Sequence, residues 1–501
     1  MTDATRAKLA ELRRKGIDPY PEQSRKDLSN RDFLGKFKAL VKSKKRPWLA
    51  GRVMGVRRHG ALTFFDVADW SGKVQLLCNQ KASPDQLTLI GATKKYSDLS
   101  MVELGDFIAA HGGAFLPKTK QPTLAVVEWK FLAKSLKNFP KEYYKVRDEE
   151  LLSRSPYLRT IFYGEDRAVF ETRFTIISLL RQVLTERGFL EVETPNLQTH
   201  YGGALAKPFT TRLEALKQQL FLRIAPELYL KKMIAGGFEK IFEIGKDFRN
   251  EGIDREHNPE FTVMELYWAY QDRDGMMEFT QAIVQDVVKR LNLGQGIKGM
   301  NRPFQGQRIN FASKSWPRLK FVELIRERTG LDYFETSLEN FLDYAKKQGI
   351  ASDLLRSDLG QAKFVSKGKI ADEIFKTIRP TLIQPTFVID HPKELSPLAK
   401  AHPDNPELTA RFQLYLGGLE MANAWAELND PVDEEERFRE QAALAKKGDS
   451  EAHPFDETFI EALEYGMPPT AGLGIGLDRL VMLLTDQPSL RKVIYFPFVR
   501  E

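Results

Sequence analysis

Phe248-Arg-Asn-Glu-Gly-Ile-Asp-Arg-Glu-His-Asn-Pro-Glu-Phe-Thr-Val-Met-Glu-Leu-Tyr267 is the stretch on which the reading of this chain turns. Its first half is polar and reads as a loop, and its second half alternates as a strand does. Successive side chains of a strand point to opposite faces, so Phe261, Val263, Glu265 and Tyr267 share one face, and Thr262, Met264, Leu266 and Trp268 the other. The second set belongs to a core. On the first, an acidic residue stands between aromatics, with Arg249 and Glu251 expected across a hairpin. Burying that carboxylate is costly unless it meets a cation. Two readings follow: a pocket for a cation, or an internal Arg249–Glu265 ion pair that only holds the hairpin together.

Upstream, Phe170, Phe174, Ile177, Leu180 and Leu184 recur at helical spacing, and Gly188 follows as a C-cap. Phe189-Leu-Glu-Val-Glu-Thr-Pro195 reads as a strand stopped by its proline, and Ile241-Phe-Glu-Ile244 as another. Downstream, Gly417-Gly-Leu-Glu-Met-Ala-Asn-Ala-Trp-Ala-Glu-Leu-Asn-Asp430 puts Asn423 and Glu427 on one strand face. Glu420 has the wrong parity unless the double glycine permits a bulge. Gly472-Leu-Gly-Ile-Gly-Leu-Asp-Arg479 reads as a glycine-rich turn entering an apolar helix, with Arg479 in its first turn. Glycines let backbone approach a nucleotide, and an early arginine can grip phosphate. The spacing is not the dinucleotide fingerprint, and no phosphate loop ending in Gly-Lys-Ser/Thr occurs. Strands and hairpins within a helical frame predict an antiparallel sheet in an α+β fold. Residues 296–380 read as a helical insertion.

The first third differs. From Arg46 to about Lys134, short alternating strands such as Trp48-Leu-Ala-Gly-Arg-Val-Met54 predict a small β-barrel. In Leu62-Thr-Phe-Phe-Asp-Val-Ala-Asp69 only one of Phe64 and Phe65 can easily point inward; the other, beside Arg57 and Arg58, suits stacking of unpaired bases. Residues 1–150 hold 29 Lys/Arg against 17 Asp/Glu, a local +12 that leaves −5 of the overall +7 for the rest. A basic module on a mildly acidic body is what contact with phosphates requires. The charged stretch Lys134–Arg154 marks the boundary. The expected division is a helical extension over 1–45, a barrel over 46–140, a linker over 141–155 and a catalytic body over 156–501. At 42% hydrophobic and 29% charged residues, with no apolar run long enough to span a bilayer, the chain reads as soluble. The charged N-terminus lacks a secretory pattern, and a single cysteine, Cys78, excludes an internal disulfide. Both favour the cytoplasm.

Taken in order, these segments resemble the signature motifs of class II aminoacyl-tRNA synthetases. Gly188 through Pro195 is similar to motif 1, Phe248 through Tyr267 to motif 2, and Gly472 through Arg479 to motif 3. Ala225-Pro-Glu-Leu-Tyr-Leu230, Ser396-Pro-Leu-Ala-Lys400 and Glu464-Tyr-Gly-Met-Pro-Pro-Thr-Ala-Gly-Leu-Gly474 resemble the wording of the lysyl-tRNA synthetases, over nearly the whole chain. The resemblance implies an N-terminal OB-fold barrel that binds an anticodon and a class II antiparallel sheet flanked by helices. It implies ligation of L-lysine to tRNA(Lys) by way of a lysyl-adenylate, with ATP as co-substrate and Mg2+ as cofactor. Arg249 would clamp the substrate carboxylate and the α-phosphate, Glu251 and Asn258 hold adenosine, Phe261 stack on adenine, and His257 and Arg479 meet the outer phosphates. The lysine α-amino group would rest against Gly203 and Glu227. Glu265, Tyr267 and Glu427 would surround its ε-ammonium, with Asn423 beside them. Glu420 would bind the metal. In the barrel, Phe64 would be the stacking platform, with Gln75 and Glu128 reading a uracil edge. No nucleophilic side chain is needed, because the protein supplies alignment and positive charge, chiefly through Arg249 and Arg479.

Two positions depart from the family pattern. Gln413 stands where a second metal-binding glutamate is usual, and Ala424 where glycine is usual. Both are expected on the ATP side, the first weakening the hold on the metal. A ligase that transfers lysine to a protein is the nearest rival, but such relatives lack the barrel. An inactive RNA-binding regulator on the same fold is the other. A homodimer is expected through about Val169–Pro195, where Phe170 and Phe174 would be exposed, though a helix packing on its own sheet would give the same pattern.

Overall fold

The computed structural model describes residues 3–81, 92–117, 119–137, 139, 148–204, 206–350, 366–446 and 454–499. The chain divides into two compact units, Met1–Val146 and Arg147–Glu501.

In the first unit three helices, Asp3–Arg14, Asn30–Gly35 and Phe37–Ser43, precede a closed five-stranded barrel. Its strands are Trp48–His59, Leu62–Asp69, Gly72–Asn79, Phe107–Phe115 and Thr123–Ala133, the last closing between the third and fourth. Closure leaves no unpaired sheet edge. The parity argument holds here: Phe65 is wholly buried in the barrel core, while Phe64 is half-buried in a small cluster outside it. Cys78 is core too, and burial pushes its thiol up to about 12.

The second unit is built on an eight-stranded sheet. Its order is Arg318–Lys320, Thr386–Ile389, Arg411–Leu416, Leu419–Ala426, Thr470–Gly476, Glu260–Ala269, Lys240–Phe248 and Leu190–Glu191. The six central strands are antiparallel as expected, but both edge strands run parallel to their neighbours, so the sheet is mixed. The strand expected over Phe189–Pro195 shrinks to Leu190–Glu191, because its two exposed residues have a partner on one side only and Pro195 has no donor to extend the ladder. One face of the sheet, with Met264, Leu266, Leu414, Leu473 and Ile475, packs on the helices Gly164–Thr185, Arg273–Gly294 and Leu477–Leu484.

Four other expectations are corrected. Gly472–Gly476 is a strand and not a turn, with the helix starting at Leu477. The insertion is only partly helical: a hairpin, Asn301–Phe304 with Gln307–Asn310, and an edge strand precede the helices Phe321–Thr329, Leu338–Lys347 and Lys367–Ile378. Within the supposed linker, Glu149–Arg154 is a helix whose Glu149 pairs with Arg159 and Lys492; residues 140–147 lie outside the described ones. Phe170 is buried edge-on against Tyr495, ring centroids 4.8 Å apart, whereas Phe174 is 60% exposed. The inward stripe of that helix runs through Phe170, Arg173, Ile176 and Leu180 because Arg173 must reach Asp478 and the Thr262 hydroxyl.

Candidate active site

The sheet face opposite the main core carries a cavity of about 600 Å³. Strand parity builds its floor. Phe261, Val263, Glu265 and Tyr267 line it from one strand, and Gly472, Gly474 and Gly476 from the antiparallel neighbour. The alternating glycines leave the room: a Cβ on Gly472 would overlap the Glu427 carboxylate and stand 2.7 Å from Tyr267 Cε1. Gly203 is held at φ 86°, where its own Cβ would come within 2.8 Å of that of Glu227.

The double glycine does what parity required. Gly417 and Gly418, both at positive φ, make a two-residue hairpin turn, and the ladder slips between Leu414 and Tyr415, leaving Met421 as the bulged residue. Glu420 thereby joins Asn423 and Trp425 on the cavity side.

Toward Tyr267 the cavity is acidic. Glu227 and Glu427 are buried, and Glu265 accepts from the Tyr267 hydroxyl at 3.2 Å. Glu427 Oε2 accepts from Trp425 Nε1 at 2.8 Å and faces Lys231 Nζ at 2.6 Å, while Oε1 is buried without a partner. Burial pushes the Glu427 carboxyl up to about 8, and the charge of Glu227 adds to that. Burial, with Asp247 and Glu227 nearby, holds Glu265 well above the usual carboxylate range. Glu227 is raised by burial as well. Among the described residues, no Arg249–Glu265 ion pair exists. Glu265 stands opposite Glu243 in the ladder, and Arg249 lies beyond the end of its strand, 5.0 Å over the Phe261 ring. The internal Arg249–Glu265 pair is thus absent, and the buried cation beside these carboxyls is Lys231, 2.6 Å from both Glu227 and Glu427.

Toward Phe261 the lining turns cationic through Arg249 and Arg479, with His257, Glu251 and Asn258 beside them. Arg479 Nη1 donates to the Glu420 carbonyl at 3.0 Å and Nη2 meets His257 Nε2 at 3.2 Å; Asp254 holds the other ring nitrogen at 2.8 Å. Behind it, Asp478 takes the Thr262 amide at 2.9 Å and pairs with the buried Arg173, fixing the helix that carries Arg479.

The two departures lie elsewhere than expected. Ala424 points into the main core, opposite Phe412 and Leu473, so its methyl group does not face the cavity. Gln413 is not part of the lining: its carboxamide oxygen accepts from the Tyr415 hydroxyl at 3.0 Å and lies 3.0 Å from His391 Nε2. That oxygen is the only atom Gln413 could offer a cation, and it is already taken. Of Gln413 and Glu420, only Glu420 lines the cavity, and no group of three or more potential metal ligands occurs among the described residues.

Sequence reasoning missed several residues. Arg411 lines the cavity and donates to Asn423 Oδ1 at 2.9 Å; Lys376 and Arg379, from the insertion, line its mouth. Lys231 was readable only as a helical partner of Glu227, four residues away. Arg223, wholly buried, pairs with Glu243 and Asp247 on the same sheet face beside the cavity floor, and nothing in the local pattern announces it.

In the first unit, Phe64 and Arg57 stand opposite each other, and Arg57 grips Asp66 at 2.7 Å and Gln75 Oε1 at 3.1 Å. Gln75 Nε2 donates to Thr123 at 2.9 Å. Glu128 lies past a bulge in its strand and meets Lys94 at 3.6 Å. Arg57 and Asp66 thus order the outer face that carries Phe64.

Residues 148–500 match the family model of class II tRNA synthetases (D, K and N), and residues 48–132 that of the OB-fold nucleic acid binding domain. The lysine–tRNA ligase of Thermotoga maritima is 41% identical over 496 residues, covering 98% of this chain and 94% of its own. That of Roseiflexus castenholzii is 44% identical over 499 residues, covering 99% and 97%, and that of Chloroflexus aurantiacus 43% over 498 residues, covering 99% and 97%. With an acidic pocket running into a cationic one on a mixed sheet and a closed barrel of the matching kind before it, this chain belongs to the class II tRNA synthetases of the D, K and N group.

Proposed function

We propose that the protein ligates L-lysine to tRNA(Lys) through a lysyl-adenylate, releasing AMP and pyrophosphate. One observation carries the substrate: three carboxyls, Glu227, Glu265 and Glu427, line or adjoin one end of the cavity, all raised by burial, and Glu427 keeps a buried oxygen without a partner. Lys231 offsets only part of this acidity, and a second ammonium ion balances the rest better than a neutral donor does, whereas an anionic side chain would add to the repulsion. Its relatives' shared name, lysine–tRNA ligase, agrees.

The roles follow the chemistry of each wall. The substrate's ε-ammonium sits against Glu427 and Glu265 beneath the Tyr267 hydroxyl, with Asn423, fixed by Arg411, beside it. Gly203 and Glu227 receive the α-amino group. Arg249, braced over Phe261, holds the carboxylate against the α-phosphorus of ATP, and Phe261 stacks on the adenine whose nucleoside meets Glu251 and Asn258. The carboxylate oxygen forms the new bond to phosphorus and the pyrophosphate oxygen leaves with its electron pair, its charge met by Arg479 and His257. The terminal ribose hydroxyl of the tRNA then attacks the acyl carbon and AMP departs. A divalent cation, taken as Mg2+, would be held by Glu420 and would neutralise phosphate charge as pyrophosphate leaves.

On the barrel, Phe64 offers a stacking face beside Gln75 and Glu128 for an anticodon base. No helix among the described residues is long and apolar enough to cross a membrane, in keeping with work in the cytoplasm. A homodimer joined through exposed Phe174 and Leu190 completes the proposal. The test is charging of bulk deacylated tRNA with each radiolabelled amino acid in turn, in ATP and magnesium. Lysine alone is expected to yield acid-precipitable label. Adenylation of lysine without charging would point to a protein acceptor, and no reaction with any amino acid to an inactive RNA-binding relative.

A further inference from the structure

Lys231 is fully buried on the helix Glu227–Ala235, one turn after Glu227. Its ammonium lies 2.6 Å from Glu227 Oε1 and 2.6 Å from Glu427 Oε2. Glu434, also buried and with both oxygens lacking hydrogen bonds, faces it from the helix Pro431–Lys446. Among the described residues, the other charged or titratable groups around this cluster are Glu265, Tyr267, Arg411, Asp433 and Arg437. Burial works against the charge on Lys231, but the three carboxylates outweigh it and push its ammonium upward. Such an ion takes no part in the chemistry proposed above, yet it touches two residues that do.

Its effect on Glu427 is asymmetric. Oε2 is held by Lys231 and by the Trp425 indole, while Oε1 stays free and lies where a Cβ on Gly472 would be. Without a cation between them, Glu227 and Glu427 would share a proton, as closely spaced buried carboxyls do. A protonated Glu427 is a poor acceptor for an ammonium ion.

We propose that Lys231 is a positioning residue for substrate recognition: it turns Glu427 so that one oxygen is left unpaired against Gly472 of the cavity floor, and it balances the acidic cluster so that a single cationic side chain completes it. This rests on the lysine-activating reading above. Lysine-dependent ATP–pyrophosphate exchange of the full chain, measured from pH 6 to 9, tests it. In Lys231→Met the lysine KM should rise about 10- to 100-fold at neutral pH. The pH at which it recovers should move upward by about one unit or more, with the KM for ATP unchanged. A rise of equal size at every pH, shared by ATP, would mean a merely structural lysine and overturn the proposal. Lys231→Arg keeps the charge, so its lysine KM should follow the wild-type pH profile. A profile displaced upward in that variant would overturn the proposal even if Lys231→Met does not fold. Wild-type protein without lysine-dependent exchange would overturn the parent reading as well, whereas variants that behave as wild type would overturn this inference alone.

Discussion

A methyl group at position 472 would meet the Glu427 carboxylate and the Tyr267 ring, so Gly472→Ala sets backbone against the two groups that define the acidic end. Overpacking of this kind typically costs 1–3 kcal/mol, which predicts a lysine KM raised about 5- to 150-fold in Gly472→Ala with little change for ATP. Steady-state exchange kinetics check it, and an equal rise for both substrates would show that the strand itself had moved. Gln413 leads to a second prediction at this scale. Restoring the family's glutamate there puts a carboxylate beside Tyr415 and beside His391, whose imidazole burial and Arg411 keep well below its ordinary pKa. Gln413→Glu should therefore cost about 1–3 kcal/mol at pH 8 and leave magnesium affinity unimproved. The new partner would raise the pKa of His391 in the folded state, so the stabilising pair would be present at low pH and lost as pH rises. Thermal unfolding at pH 6 and pH 8 checks it: a smaller loss at pH 6 is the expected outcome.

Among the elements, the helix Leu477–Leu484 shows how a site residue is held from behind. Asp478 ties it to the Thr262 amide and, through Arg173, to the helix Gly164–Thr185. Removing one partner of a buried ion pair leaves an uncompensated charge worth about 3–5 kcal/mol, so Arg173→Met should lower the unfolding free energy by that amount. Denaturant titration measures it, and a loss below about 1 kcal/mol would mean that water replaces the guanidinium. The double glycine was read only as permitting a bulge near Glu420; that Gly417 and Gly418, both at positive φ, also form the hairpin turn emerged from the fold. The strand at Gly472 was misread as a turn because glycine lowers strand propensity locally, while the ladders from Ala422–Ala426 and Val263–Ala269 on its two sides override that preference.

For the whole molecule, the buried carboxyls make a pH prediction with a definite sign. Burial raises Glu427 and Glu434 to about 8 and Asp247 to about 7, with Glu265 raised as well. A carboxyl raised in the folded state stabilises it fully below the unfolded pKa, and that contribution is lost as pH climbs through the folded value. The ligand-free protein should therefore lose stability from about pH 4 up to about pH 8, and lysine should raise Tm more at pH 8.5 than at pH 6. A Tm shift with lysine that is equal at both would contradict the assignment of the acidic end. The two units give a separate prediction: Phe64→Ala should weaken tRNA binding by about 1–3 kcal/mol, as loss of one stacked base does, and leave ATP–pyrophosphate exchange intact.

What the sequence by itself determined is whatever depends on local periodicity. Strand parity separated the core face of Glu260–Ala269 from its cavity face and required that only one of Phe64 and Phe65 point inward, and glycine placement foretold a helix cap at Gly188 and allowed a bulge near Glu420. Only the tertiary structure decided what those faces meet. Lys231 and Glu427 are far apart in the chain and 2.6 Å apart in space, Arg173 and Asp478 likewise come together across a helix pair, and Gln413 and Ala424 turned out to face a polar network and the core. Periodicity fixes the direction in which a side chain leaves the backbone, but the charge and volume it finds there belong to segments hundreds of residues away, and these are set only when the sheet assembles.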